Sequence, residues 1–162
     1  QAVHNWDVLN WATRSLPARA VGLGRDDLFR TRQPDRNVHD YYSGVAQYED
    51  GLIVNILHSW MAPEKFNEEY TRLMGTKGGI DFNSGTFSYR TDLKRQDRVG
   101  HSYKGDVNST LMALQSFAGS VRTRKPPIAN VEHGRNAVLA CLLMREAVDT
   151  RGMVTMKDLL RQ

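Results

Sequence analysis

Apolar residues recur at Val3, Trp6, Leu9 and Trp11 with no glycine or proline among them. That is the spacing of one helix face, and it predicts a helix over residues 2–13. Pro17 ends this unit, and residues 18–24 are read as a first strand leading out through glycines. Residues 25–40 are polar, rich in Arg and Asp and contain Pro34, so a long loop is expected there. The period then shortens. Residues 41–49 and 52–61 read as strands around Asp50-Gly51, a strong two-residue hairpin signal. After Ala62-Pro63, residues 65–74 read as a third strand, alternating Phe66, Glu68 and Tyr70 against Asn67, Glu69 and Thr71. Residues 75–79 turn the chain, and residues 79–82 and 86–90 form a short hairpin around Asn83-Ser84-Gly85.

The last third is helical. Asp106 or Asn108 can cap a helix running to about residue 122, with Val107, Leu111, Leu114, Phe117 and Val121 apolar, and Pro126-Pro127 stops it. A second helix is expected over residues 131–150, with Val138, Leu139, Leu142, Leu143, Met144, Ala147 and Val148 as its stripe and Gly152 closing it. Thr155 caps a short final helix through residue 160. Consecutive hairpins between helices predict an α+β fold: a largely antiparallel open sheet with helices packed on one face. Residues 1–162 are read as a single domain. The uncovered face is expected to carry Tyr42, Tyr48, His58 and Trp60 and to meet a partner, with ordinary core aromatics as the alternative.

Composition narrows the class. Of 162 residues, 40% are hydrophobic and 25% charged, the proportions of an ordinary globular domain. The longest apolar stretches, residues 52–57 and 137–144, fall well short of the roughly 20 residues a bilayer requires, so no membrane partner is expected. The chain opens at Gln1, inside the predicted helix, and is therefore read as a piece of a longer protein. The net charge of +4 forms no basic stripe. Arg90, Lys94, Arg95 and Arg98 alternate with Asp92 and Asp97, and Arg122, Arg124 and Lys125 sit where a helix C-terminus favours positive charge. No nucleic-acid partner is expected. Cys141, inside LACLLM, reads as a small buried hydrophobe.

The usual signatures of a self-contained enzyme do not appear. A dinucleotide fingerprint needs three glycines at a strand-to-helix turn; Gly22-Leu23-Gly24 supplies two, and Asp27 stands where the third belongs. Residues 75–79 hold glycines and Lys77 but lie between strands, and read as a turn. His4, His39, His58, His101 and His133 form no HExxH or Cys-His grouping, so no metal site is expected. His39-Asp40 is a suggestive pair, although adjacent side chains diverge, and no GxSxG elbow exists. What remains is His4-Asn5-Trp6-Asp7. Positions three apart share a helix face, so His4 and Asp7 project together, with Trp11 one turn on. A histidine beside a carboxylate suits acid/base work, and the same face can hydrogen-bond several hydroxyls of a polyol. The spacing serves equally well as a surface or capping pair.

The segment QAVHNWDVLNWATRSLPARAVGLG resembles the opening of the C-terminal domain in the Gfo/Idh/MocA oxidoreductase family, through His4, Asp7, Trp11, Pro17 and residues 22–24. YEDGLIVNILHSW resembles that domain's central hairpin, LMGTKGGIDFNSGTFSY its strand, turn and strand, and NVEHGRNAVLACLLMREAVDTRGMVTMKDLL its closing helix pair. The resemblance implies a parent with an N-terminal Rossmann domain that binds NAD or NADP and carries a catalytic lysine in a Glu-Lys-Pro motif, both missing from this chain. It implies His4 as the catalytic proton-transfer residue, Asp7 and Trp11 as substrate-binding residues, and a sugar or polyol substrate. The family's further acidic or polar residue, four positions before the histidine, would fall before Gln1. It also implies a homo-oligomer through the open sheet face, no cofactor bound to this fragment, and no dehydrogenase activity from the fragment alone. An NAD-dependent glycoside hydrolase of the same fold, or a non-enzymatic dimerisation or ligand-sensing module, are the alternative readings.

Overall fold

A computed structural model of the chain describes residues 2–66, 69–89 and 108–161. It divides into two compact units, residues 1–63 with 128–162, and residues 64–127. In chain order, α1 (Ala2–Thr13), β1 (Pro17–Arg25), β2 (Tyr41–Tyr48) and β3 (Ile53–Ser59) open the first unit. A 3-10 turn (Glu64–Phe66), β4 (Arg72–Gly75), β5 (Gly78–Asp81), β6 (Thr86–Tyr89) and α2 (Ser109–Thr123) belong to the second. The chain then returns to the first through α3 (Val131–Thr150), β7 (Val154–Thr155) and α4 (Met156–Leu159). The class is α+β and antiparallel, as the hairpin pattern predicts. The strands divide between two sheets, β3-β2-β1-β7 and β4-β5-β6.

The helix limits follow from local chemistry. Asn130 caps α3 by accepting the His133 N–H at 3.1 Å, and Asn108 caps α2 by accepting the Leu111 N–H at 2.9 Å. Thr155 caps α4 through the Asp158 N–H at 3.1 Å. At the end of α3 the left-handed residue is Arg151 (φ 53°), one position before the glycine expected to close the helix, and its N–H reaches the Ala147 and Val148 carbonyls. The 48–52 turn holds three residues instead of two: Tyr48 N–H bonds to the Leu52 carbonyl at 2.9 Å, with Gly51 at φ 90° inside. The two-residue β7, paired with Arg19 and Ala20, is too short to leave a pattern in the sequence.

Packing in the first unit is decided by strand parity. Ala20, Gly22 and Gly24 of β1 stand opposite Ala46, Gly44 and Tyr42 of β2, and α3 lies over this face. A Cβ on Gly22 would lie 2.7 Å from Val148 Cγ2, one on Gly24 would lie 2.6 Å from Val148 Cγ1, and one on Gly44 would collide with Met144 Sδ. Three missing side chains therefore form the bed of α3, whose Ala137, Ala140, Leu143, Met144, Ala147 and Val148 are buried. Val138 and Leu142, expected in that stripe, are exposed, because small alanines make the contact. α1 packs against α3 through Trp6, Leu9 and Asn10.

The same parity corrects the expected open face. Tyr42, Tyr48 and His58 share the α3 side with Gly44 and Ala46. Tyr48 is fully buried, and Trp60, just beyond β3, sets its ring edge-on to His58 at 5.2 Å. The uncovered face instead carries Val21, Leu23, Val45, Ile53 and Leu57, all exposed.

The second unit also corrects the reading. Residues 65–74 do not form one strand: a 3-10 turn occupies Glu64–Phe66, and β4 begins only at Arg72. β5 offers a four-residue ladder, and Phe66 (70% exposed) and Tyr70 (64%) lie outside it. Arg72 and Asp81, opposite each other in register, pair at 2.9 Å. Leu111, Leu114, Phe117 and Val121 of α2 are exposed. Asn67, Glu68, the Arg90 end of the short hairpin, the alternating charges of residues 90–98, Asp106 and Val107 lie outside the described residues.

The glycine bed predicts two alanine substitutions of opposite sign. Gly22→Ala forces Val148 aside and is expected to lower stability by about 1–3 kcal/mol. Gly134→Ala, inside α3 with no atom within 4 Å of the new Cβ, is expected to raise it by about 0.5–1 kcal/mol. Urea denaturation of both variants, and of Gly22→Ala with Val148→Ala, checks this: the double variant should recover part of the loss.

Candidate functional site

α1 presents two faces because its apolar residues are not evenly spread. Trp6, Leu9 and Asn10 turn inward, while His4, Val8 and Trp11 face outward. His4 is exposed on the first turn and Asp7 half-buried on the second, and no ion pair joins them. Asp7 and Trp11 line a cleft of about 430 Å³, together with Asn10 and Arg14 of the same helix. Ser15 and Leu16 close one end, and His133 and Asn136 of α3 form the opposite wall. Two of the three residues singled out from the sequence thus come together, and His4 is not part of the lining.

The cleft rests on a polar chain through three elements. The Tyr48 hydroxyl donates to Asn10 Oδ1 at 2.7 Å, and Asn10 Nδ2 donates to the Asn136 carbonyl at 3.3 Å. Sheet, α1 and α3 are tied at the floor of the cleft. Burial, with a smaller push from Asp50, raises the Tyr48 phenol to about 12, so it stays a neutral donor. His133 and Asn136 were not singled out beforehand, since more than a hundred residues separate them from α1 and nothing local marks them.

A second polar cluster lies along the 25–40 loop. His39 and Asp40 diverge, as adjacent side chains do. His39 Nε2 meets Asp149 Oδ1 of α3 at 2.6 Å, and the fully buried Asp40 pairs with Arg36 at 2.7 Å. Asp40 also accepts the Leu28 and Phe29 N–H groups at 3.0 and 3.3 Å. The carboxylate contacts of Asp40 lie within the loop it organises, and its backbone carbonyl accepts the Trp60 N–H at 2.8 Å, which reads as architecture. Burial raises the pKa of the half-buried Cys141 thiol, the reverse of an activated nucleophile. Gly22-Leu23-Gly24 lies within β1 beneath α3, not at a strand-to-helix turn, so these glycines do not fit a dinucleotide. Among the described residues, no three or more His, Cys, Asp or Glu side chains are placed to hold a metal, and no helix is long and apolar enough to cross a membrane.

Residues 1–81, half of the chain, match the family model of the GFO/IDH/MocA C-terminal domain. No curated protein matches the chain in sequence. Among solved structures, the chain is similar to UDP-N-acetylglucosamine 3-dehydrogenase GnnA from Acidithiobacillus ferrooxidans (TM-score 0.71, 18% identity, 93% of this chain and 46% of that one). It is also similar to aldose-aldose oxidoreductase from Caulobacter crescentus in complex with glycerol (0.73, 14%, 95% and 45%). A third is scyllo-inositol dehydrogenase from Lactobacillus casei with bound NAD(H) and scyllo-inositol (0.65, 16%, 96% and 46%). The chain spans a little under half the length of these proteins.

The buried phenol makes stability depend on alkaline pH. A group whose proton is held more tightly when folded contributes fully below its unfolded value, near 10, and loses that contribution as pH rises through about 12. Stability measured by urea denaturation should fall over that window by on the order of 2–3 kcal/mol more in the natural chain than in Tyr48→Phe. Equal slopes in the two proteins would contradict this.

Proposed function

The chain belongs to the GFO/IDH/MocA family through its C-terminal domain, and we propose that it is the substrate-side half of a two-domain, NAD(P)-dependent oxidoreductase acting on a hydroxyl of a sugar or polyol. The observation that carries the reading is the outward face of α1, where His4, Asp7 and Trp11 stand in line beside a cleft rich in hydrogen-bonding groups. His4, exposed at the start of the helix, takes the hydroxyl proton as the alcohol carbon is oxidised. Asp7 accepts hydrogen bonds from neighbouring hydroxyls and orients the ring, and Trp11 forms its wall. Acceptance of the hydride is assigned to a dinucleotide that a separate Rossmann domain would hold, since Gly22-Leu23-Gly24 lies within a strand and does not fit one. The similar solved proteins, whose names cover a nucleotide-sugar dehydrogenase and an inositol dehydrogenase, support the substrate class.

The uncovered face of the sheet is assigned to a second copy of the protein. Val21, Leu23, Val45, Ile53 and Leu57 form an exposed apolar patch on adjacent strands, with Ser43, Asn55 and the Arg19–Gln47 pair interleaved among them, and such a patch can stack on its own like.

Binding, kinetic and sedimentation measurements test these assignments. Calorimetric titration of NAD and NADP into the purified chain is expected to give no saturable heat, and the chain to oxidise no sugar. Saturable micromolar binding of either nucleotide would sink the two-domain reading. In the protein that joins this chain to a dinucleotide-binding domain, His4→Ala should lower kcat by about 10²–10⁴ and remove one limb of its pH profile. Leu57→Glu should convert a concentration-dependent dimer into a monomer in sedimentation, with the circular dichroism unchanged. A natural chain that is already monomeric at every concentration would refute the sheet interface.

A further inference from the structure

We propose that Arg14 sets the charge of the substrate: the sugar or polyol taken by this site carries an anionic substituent, a phosphate or a carboxylate, and the Arg14 guanidinium holds it. The inference rests on the reading of His4, Asp7 and Trp11 given above and adds the one property of the substrate that this reading leaves open. His4, Asp7, Trp11 and Arg14 follow one another at steps of three, four and three, the spacing of a single helix stripe. Arg14 lines the same cleft as Asp7 and Trp11. A ring walled by Trp11 therefore has Asp7 on the side of His4 and Arg14 on the other side. The anionic group sits on the part of the ring turned away from the reacting hydroxyl.

What marks Arg14 is that its charge is unused. Elsewhere in the first unit, Arg25, Arg30, Arg36, Arg135 and Arg145 each hold a carboxylate. Arg14 pairs with none among the described residues, and it does not pair with Asp7 although both line one cleft. Its planar fork of N–H donors matches two oxygens of a phosphate or carboxylate at once, whereas a lone hydroxyl uses only one of them. Asp7 is the one acidic side chain among the lining residues, so an anion is repelled at that end and hydroxyls are accepted there. The cleft thus has a direction, with hydroxyls at Asp7 and negative charge at Arg14. The backbone offers a clean way to remove the charge. Arg14 follows the last residue of α1 in the left-handed region (φ 53°), which glycine occupies more readily than any side chain does. Arg14→Gly therefore deletes the guanidinium and relaxes the chain in one step.

The test uses the chain as it stands, because all the lining residues belong to its first unit. Glucose, glucose 1-phosphate, glucose 6-phosphate, glucuronate and inorganic phosphate are titrated at low salt while the Trp11 indole resonance is followed by NMR. At least one charged sugar should bind about tenfold tighter than glucose, the gain from a charge-assisted contact, and high salt should erode that advantage. A winning sugar phosphate identifies the group as phosphate, and a winning glucuronate identifies it as carboxylate. Arg14→Gly should abolish the advantage without weakening glucose and without lowering the urea midpoint, and Arg14→Lys should restore part of it. The proposal is overturned if no charged sugar binds tighter than glucose, or if Arg14→Gly keeps the preference. It is equally overturned if inorganic phosphate binds as tightly as the sugar phosphates, which would mean an ion held without a ring. The oxidoreductase reading fails on different results, dinucleotide binding to this chain or an unaltered His4→Ala enzyme, so the two failures are distinct.

Discussion

The structure of the first unit depends on one close approach. Gly22 and Gly44 face each other across β1 and β2, Gly24 lies one step further, and α3 occupies the space that three side chains would have filled. Met144 and Val148 of the helix fill the space over the glycines, and Ala137, Ala140 and Ala147 are buried along the same helix. Close packing of this kind tolerates little displacement in either direction. It fixes α3 on the sheet, and α1, which packs on α3, takes its position at second hand. The cleft is formed by these two helices, so its shape is set by residues that never touch it.

Polar ties then remove the remaining freedom. The Tyr48–Asn10–Asn136 chain crosses from sheet to α1 to α3 through two directed hydrogen bonds, which specify one arrangement where apolar contact alone would permit sliding. Asp40 does the same for the loop between β1 and β2. Its carboxylate has no exposure to water, but Arg36 and two backbone N–H groups meet it, and the desolvation cost is offset only while all of them hold. His39, one residue earlier, ties the same loop to the last turn of α3.

The elements that could be read from the sequence are those whose signals are local. α1 and α3 fall where their apolar spacing places them and Thr155 marks the start of α4, whereas the Asn130 cap of α3 was not singled out and an arginine, not the neighbouring glycine, takes its left-handed end. The face of a strand is not a local property. Aromatic bulk was taken as a sign of the open side, whereas the glycines of the same parity mark where a helix lies. Of residues 65–74 only Arg72–Met74 find a partner strand, so the alternation of the preceding residues does not translate into a strand. In the site, His4, Asp7 and Trp11 were legible because one helix carries them. His133 and Asn136 reach the cleft only through the packing of α3, which no spacing along α1 reveals.

Separation of faces has a functional consequence. α1, α3 and the cleft lie on the covered side of the sheet, and the exposed valines, leucines and isoleucine lie on the other. A second copy stacked on the uncovered strands would bury none of the residues lining the cleft, so assembly and substrate binding need not compete for surface. In the proposed assembly the glycine bed would link the two: a shift of β1 against β2 would move the seat of α3, and with it His133 and Asn136. A partner that rigidifies the sheet would hold the cleft in one shape without contacting it, as pre-organised substrate recognition requires.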